Sequence, residues 1–365
     1  MEDRQAPDYI IFFVIVILMT IGLIMILSAS SIRSHLLYKD SYYLFKHQLV
    51  WVVIGIIAMI IFMNIDYQIY RRYAKMILLI TIITLILVLI PGIGRLVGGS
   101  RRWIWIGSFR FQPSELAKLG LVIYLAHYFS NKGEQVKSFV NGVLPPLLIM
   151  GLTFGLILME PDLGTAVTIA GTFFIMLFAA GARISHLFTL GLAGFPLLLY
   201  FIMSEDYRRE RLFSFLDPWS DPLDTGYHII QSLLALGSGG IFGVGLGNSR
   251  QKFLYLPEPG TDFIFAVLGE ELGLLGTVAV LGLFFLFVWR ALKIAVSVPD
   301  LFGSLLAVGL STMVILQAII NIGVVTASMP ITGITLPFIS YGGSSLVIML
   351  SGVGILLNIS RQAST

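Results

Sequence analysis

The stretch Ile77-Leu78-Leu79-Ile80-Thr81-Ile82-Ile83-Thr84-Leu85-Ile86-Leu87-Val88-Leu89-Ile90 carries no charge and does not alternate between polar and apolar residues. A half-exposed strand or a strand of an outer-membrane barrel reads with a period of two, so this run belongs to a helix that is apolar all round. With its flanks it spans 76–91, near the ~20 residues that cross a bilayer core. Walking outward from it with the same ruler finds further candidates at 9–29, 48–65, 114–130, 141–159, 164–182, 187–203, 263–289, 301–327 and 341–360. The predicted fold is all-α: a polytopic membrane protein of about ten transmembrane helices. It forms one integral-membrane domain over 1–365, with a large extracytoplasmic loop at 204–262 between the seventh and eighth helices.

Composition agrees. The 365 residues are 57% hydrophobic with a mean hydropathy of +0.93 and only 12% charged, against ~25% for a soluble domain. That excludes a water-soluble globular protein, a disordered chain and a coiled coil. The lack of cysteine excludes a disulfide-stapled module. The net charge of +3 is too small to argue for a nucleic-acid partner, and none is expected. His35, His47, His127, His186 and His228 show no metal-ligand spacing, so no metal site is assigned. No small-residue cleavage signal follows the first span, which reads as a retained helix.

With both termini placed inside, 10 of the 23 Lys and Arg residues fall on the cytoplasmic side, leaving 13 outside. The outer loops at 92–113 and 204–262 are much longer, so the density of positive charge still favours cytoplasmic termini. The outer arginines then call for a reason other than topology.

Three outward segments hold most of the polar chemistry. In the first, Arg101-Arg102-Trp103 leads to Gln112-Pro113-Ser114-Glu115, with Lys118 three residues after Glu115 on the same helix face. That pair either fixes helix packing or enters a substrate cavity; Trp103 and Trp105 suit interfacial anchors or ligand platforms. In the second, Glu160-Pro161-Asp162-Leu163-Gly164 breaks an apolar hairpin, and Asp162 either caps the next helix, places an anion in a cavity, or does both. The third is richest. Arg208, Arg209 and Arg211 suit a phosphate or a solvated loop, and glycines between 237 and 247 either let backbones approach or expose N–H groups to an anion, with Lys252 just beyond. Leu256-Pro257-Glu258-Pro259-Gly260-Thr261-Asp262 then enters an apolar run, so Asp262 is either a helix N-cap or a partly desolvated general base. Glu271 reads as a packing or network residue. Pro330 to Ser345 reads as a re-entrant or broken element lining the same cavity.

These blocks, taken in order with Thr261-Asp262-Phe263-Ile264-Phe265, Glu270-Glu271-Leu272-Gly273 and Ser340-Tyr341-Gly342-Gly343-Ser344-Ser345, resemble the SEDS family of bacterial cell-wall polymerases over essentially the whole chain, closest to its FtsW and SpoVE branch. Gly260 departs from the pattern, since many relatives carry a larger polar residue there. The resemblance implies a peptidoglycan glycosyltransferase in the bacterial cytoplasmic membrane that polymerises lipid II at the outer face, beside a class B penicillin-binding protein and the division or sporulation machinery. It implies that the family's essential Asp falls on Asp262, and that Arg102, Glu115, Lys118 and Asp162 occupy its other conserved positions. Arg102, Arg208, Arg211, Lys252 or a divalent cation such as Mg²⁺ or Mn²⁺ are candidates to stabilise the departing pyrophosphate, and Ser344 is a further candidate substrate contact. A lipid II flippase and a scaffold for the penicillin-binding protein are the competing readings, because broken helices and buried charges also suit a carrier.

Overall fold

The computed structural model describes residues 6–363 apart from 98, 108 and 254. The helices are α1 (Tyr9–Tyr38), α2 (Tyr43–Asn64), α3 (Gln68–Leu89), α4 (Pro113–Lys132), α5 (Leu144–Met159), α6 (Leu163–Ala179), α7 (Ile184–Met203), α8 (Asp206–Leu216), α9 (Tyr227–Gly239), α10 (Ile264–Ser297), α11 (Leu301–Val325) and α12 (Gly343–Ser360). The ten expected spans correspond to α1–α7 and α10–α12. Among the described residues eight segments are long and apolar enough to cross a bilayer; α6 is shorter, and α4 carries Glu115 and Lys118 in its first two turns. The chain is a polytopic helical membrane protein.

Two helices outrun their apolar stretch. α1 continues to Tyr38 and α10 to Ser297, since a helix satisfies its own backbone whether or not its side chains are apolar. Asp8 caps α1 by accepting from the N–H groups of Ile10 (3.0 Å) and Ile11 (3.1 Å).

α11 and α12 form the buried centre, while no residue of α7 is buried, which leaves that helix at the periphery. Small residues let the central helices approach. A Cβ at Gly354 of α12 would lie 2.4 Å from the Met59 carbonyl of α2.

Alternation of helix direction sorts the polar residues to two ends. At one end Arg290 pairs with Asp8, the Asp8 N–H donates to Ser360 Oγ (3.0 Å), and the Tyr67 N–H donates to Asn358 Oδ1 (2.9 Å). Both ends of the described chain therefore meet there. The candidate site lies at the other end.

A small antiparallel sheet, β1 (Gly94–Val97), β2 (Ser100–Ile106) and β3 (Phe109–Phe111), precedes α4. Sequence reading took this region as loop. The alternation in Arg101-Arg102-Trp103-Ile104-Trp105-Ile106, rich in aromatic and β-branched residues, is the local reason that β2 forms. Arg95 and Arg110 stack on Trp105 at 4.3 and 4.7 Å, so Trp105 braces the sheet.

The segment between α7 and α10 is also more ordered than a loop, because α8 and α9 lie in it. Its glycine-rich part closes a break in α10. Gly273 has φ +66°, outside helical geometry, and the backbone freed there is taken up by the neighbouring turn: Val244 and Gly245 N–H donate to the carbonyls of Glu270 and Glu271 (both 3.0 Å), and Leu274 N–H donates to Gly240 O (2.9 Å). A Cβ at Gly243 would sit 2.2 Å from Glu271 O and one at Gly239 would sit 2.0 Å from Gly269 O, so these two glycines serve close backbone approach.

Candidate active site

α10 therefore begins with a short, fully buried half-helix, and Asp262 stands immediately before it. The residue at the N-cap position is Phe263, and no side chain caps the helix, so Asp262 is not an N-cap. Its backbone is fixed instead. Asn321 of α11 donates through Nδ2 to the carbonyls of Asp262 (2.8 Å) and Ile334 (2.7 Å), tying the loop to the 330–342 segment. That segment grips the loop again: Ser340 Oγ donates to Thr261 O (2.6 Å), and Tyr341 N–H donates to Gly260 O (2.9 Å). The irregular stretch after Pro330 is thus satisfied by protein and by the cavity it lines.

That cavity has a volume of about 410 Å³. Asp262, Arg102, Glu115, Lys118, Asp162 and Ser344 all line it, so the structure brings together six of the nine residues singled out from sequence. The Asp262 carboxylate is partly buried and accepts no hydrogen bond from the described residues. Burial, then the negative charge of Glu258, pushes it up from 3.8 to about 6, against the pull of Arg211 and Arg102.

Its neighbours are more constrained. Lys118 is buried with its ammonium 2.9 Å from Glu115 Oε1 and bonded to Gln317; Ser345 Oγ donates to Glu115 Oε2 at 2.9 Å. Gln317 is held by Thr335 O (3.0 Å), so α4, α11 and α12 meet in one satisfied network. Asp162 is both cap and lining residue: Oδ1 accepts the Thr165 N–H (3.1 Å) at the start of α6 and Oδ2 accepts from Gln112 (3.3 Å). Arg102 reaches across from β2, donating through Nε to Glu160 O (2.9 Å) and through Nη2 to Pro161 O. Beneath it Glu160 is buried with neither carboxylate oxygen hydrogen-bonded to the described residues, and burial followed by the Asp162 charge raises it to about 9, so it is neutral near pH 7. The Ser344 hydroxyl is buried at the start of α12 and has no partner among the described residues.

Three residues are placed elsewhere. Arg208 and Arg211 line a neighbouring crevice of about 50 Å³ beside Tyr207 and Ile331. Arg208 is spent on Tyr207 Oη (2.8 Å) and Phe201 O (3.0 Å), while Arg211 makes one long contact to Ile331 O (3.5 Å) and feels the Asp262 charge. Lys252 lies in neither space. Its ammonium bonds to Ser28 Oγ (3.1 Å), Glu271 Oε1 (3.3 Å) and Gly247 O, inside a network that pins the glycine-rich turn to α1 and α10. The structure thus places Lys252 in this network and not on the cavity lining, and Glu271 belongs to the same network. Sequence reading also missed lining residues. The lining residue Gln317 forms an i, i+4 amide pair with Asn321 inside an apolar helix, a signal that marks it; the lining residues Tyr38, Tyr43, His47 and Trp51 carry no such signal.

The FtsW/RodA/SpoVE cell cycle protein family model matches residues 8–365. The chain belongs to the FtsW/RodA/SpoVE family. It is 49% identical to the stage V sporulation protein E of Bacillus subtilis (strain 168), covering 99% of this chain and 98% of that one. It is 43% identical to a probable peptidoglycan glycosyltransferase FtsW of Geobacter sp. (strain M18), over 99% of both. Among solved structures, a chain of a peptidoglycan synthase complex that coordinates polymerization and crosslinking superposes with a TM-score of 0.80 at 30% identity, over 98% of both chains. The rod shape determining protein RodA of Thermus thermophilus gives 0.74 at 29%, over 99% of this chain and 98% of that one. The FtsW/RodA/SpoVE fold is thus matched along the whole bundle, the cavity end included.

Proposed function

We propose that this chain is a peptidoglycan glycosyltransferase that polymerises lipid II at the outer face of the bacterial cytoplasmic membrane, with both termini cytoplasmic and Asp262 as the general base. The observation that carries the reading is the Asp262 carboxylate: it is held by its backbone, open to a membrane-end cavity, free of hydrogen bonds from the described residues, and raised to about 6, where it is largely deprotonated near pH 7 yet basic enough to take a proton. In the step, the acceptor hydroxyl gives its proton to Asp262 as its oxygen bonds to the donor's anomeric carbon. The bond from that carbon to the pyrophosphate oxygen breaks, and its electron pair leaves with undecaprenyl pyrophosphate.

One displacement inverts the anomeric centre. A covalent route needs a second free carboxylate as nucleophile, and the nearby ones are engaged: Glu258 with Arg33 (2.6 Å), Asp162 as a cap, Glu115 with Lys118. Arg102 and the N-terminal end of α12, where the Ser344 hydroxyl has no partner among the described residues, are the groups this reading assigns to the phosphate oxygens, together with Arg211. Among the described residues no group of three or more His, Cys, Asp or Glu is arranged to hold a metal by itself; a Mg²⁺ or Mn²⁺ held by one carboxylate and the pyrophosphate needs no such group, and no step is assigned to it.

The relatives' names favour polymerisation over flipping, and two of them tie related chains to sporulation and to a complex that also crosslinks. A class B penicillin-binding protein within the division or sporulation machinery is the partner this reading expects. The test uses purified full-length protein with lipid II in detergent, where no transbilayer movement exists. Glycan polymer supports the enzyme; no polymer even with the cognate penicillin-binding protein present overturns it.

A further inference from the structure

Besides the charged residues described above, the cavity is lined by an aromatic group built where α1 ends and α2 begins. Tyr38 and Tyr43 stack with centroids 3.8 Å apart and planes 14° from parallel, and His47, one turn along α2, lies against Tyr43 at 4.4 Å with its ring tilted by 51°. All three line the same cavity as Asp262, as does Trp51 one turn deeper. Tyr38 is 43% exposed although it is large and aromatic, and neither tyrosine hydroxyl takes part in a hydrogen bond among the described residues. The turn that presents the stack is built: Lys39 sits in the left-handed region (φ +59°), and Asp40 caps it by accepting the Tyr42 N–H (2.9 Å) and pairing with Lys46 (2.8 Å). The stack is joined to the catalytic loop from the same side, because Arg33 of α1 pairs with Glu258, four residues before Asp262.

We infer that Tyr38, Tyr43 and His47 form a saccharide platform that seats the acceptor sugar, an N-acetylated hexosamine ring, with its hydroxyl toward Asp262. This rests on the glycosyltransferase reading above. A pyranose presents an apolar face of C–H bonds that packs on the electron-rich face of an aromatic ring, while its rim of hydroxyls and amide seeks carboxylates and amides. The cavity offers that pairing of chemistries: its lining holds the rings together with Glu258, Asp262, Asp162 and Gln112. A lone phosphate would gain nothing from the rings, and an acyl chain would gain nothing from the carboxylates. Arg102, on the same cavity, is left for the donor's pyrophosphate.

The test has two independent readouts on the full-length protein in detergent. Saturation-transfer NMR with chitotetraose, a soluble β-1,4-linked N-acetylglucosamine oligomer, is expected to show transfer from Tyr and His ring protons in both the native protein and Asp262→Asn, since binding needs no turnover. Tyr43→Leu and His47→Leu are each expected to weaken chitotetraose binding and raise the KM for lipid II by about three- to tenfold, with kcat nearly unchanged and Tyr43→Phe close to native. A stack that only closes the α1–α2 turn would instead lower the unfolding temperature without moving KM. Absence of ring transfer in the native protein, or leucine variants with native binding and KM, refutes the platform. If the native protein makes no polymer, the glycosyltransferase reading fails whatever the NMR shows, and with it the acceptor role of the platform.

Discussion

Replacing Asp262 by Asn separates stability from chemistry. The folded protein holds this carboxyl at about 6 against an ordinary 3.8, chiefly because it is buried and faces Glu258. A carboxyl raised by folding binds its proton more tightly in the folded state than in the unfolded one. Stability is therefore greatest at low pH, falls as pH rises from 3.8 through about 6, and levels off once both states are ionised. The shift of about two units, at about 1.4 kcal/mol each, sets the cost of the ionised carboxylate near 3 kcal/mol at neutral pH. Asparagine keeps the shape and removes the charge. Thermal unfolding in detergent, followed by intrinsic fluorescence from about pH 4 to about pH 8, is expected to show the two proteins alike at the acid end. Asp262→Asn should become the more stable by about 3 kcal/mol above about pH 7. A variant that is less stable than the native protein at neutral pH, or a difference that does not change with pH, refutes the reasoning that burial strains this carboxylate.

Two further substitutions test the scaffold that carries Asp262. Gly273→Ala puts a Cβ 2.3 Å from the Gly243 amide nitrogen at φ +66°, so it should lower stability by about 2 kcal/mol or more and expose the 240–252 segment to limited proteolysis. Lys252→Met leaves Glu271 buried without its cation; it should lower the unfolding temperature while the KM for lipid II stays native, whereas a raised KM with unchanged stability would return Lys252 to the substrate.

The ten spans were legible because a bilayer demands long apolar helices, and α3 announces itself in Ile77 to Ile90. The charged lining was legible because ionisable residues at membrane depth are few and costly, which marked Arg102, Glu115, Lys118, Asp162 and Asp262 in advance. Lys252 shows where that logic stops. Its partner Glu271 is 19 residues away and Ser28 is 224 away, a pairing that only the break at Gly273 and the packing of α1 create. The aromatic lining was hidden for a related reason: hydropathy ends α1 near residue 29, and only the helix that continues to Tyr38 brings that ring onto Tyr43. The sheet over 94–111 was missed because a few short strands between spans look like a polar loop unless the alternation around Trp103 and Trp105 is read by itself.

The central claim, that Asp262 removes the acceptor's proton, is tested most directly by the pH–rate profile of lipid II polymerisation by native protein and Asp262→Ala with the cognate penicillin-binding protein present. The native rate under kcat/KM conditions should rise with pH through an inflection at about 6, and Asp262→Ala should lose about 10²–10⁴ in rate at neutral pH while still binding substrate. Polymer formed by Asp262→Ala at the native rate and with the same pH profile would contradict the account.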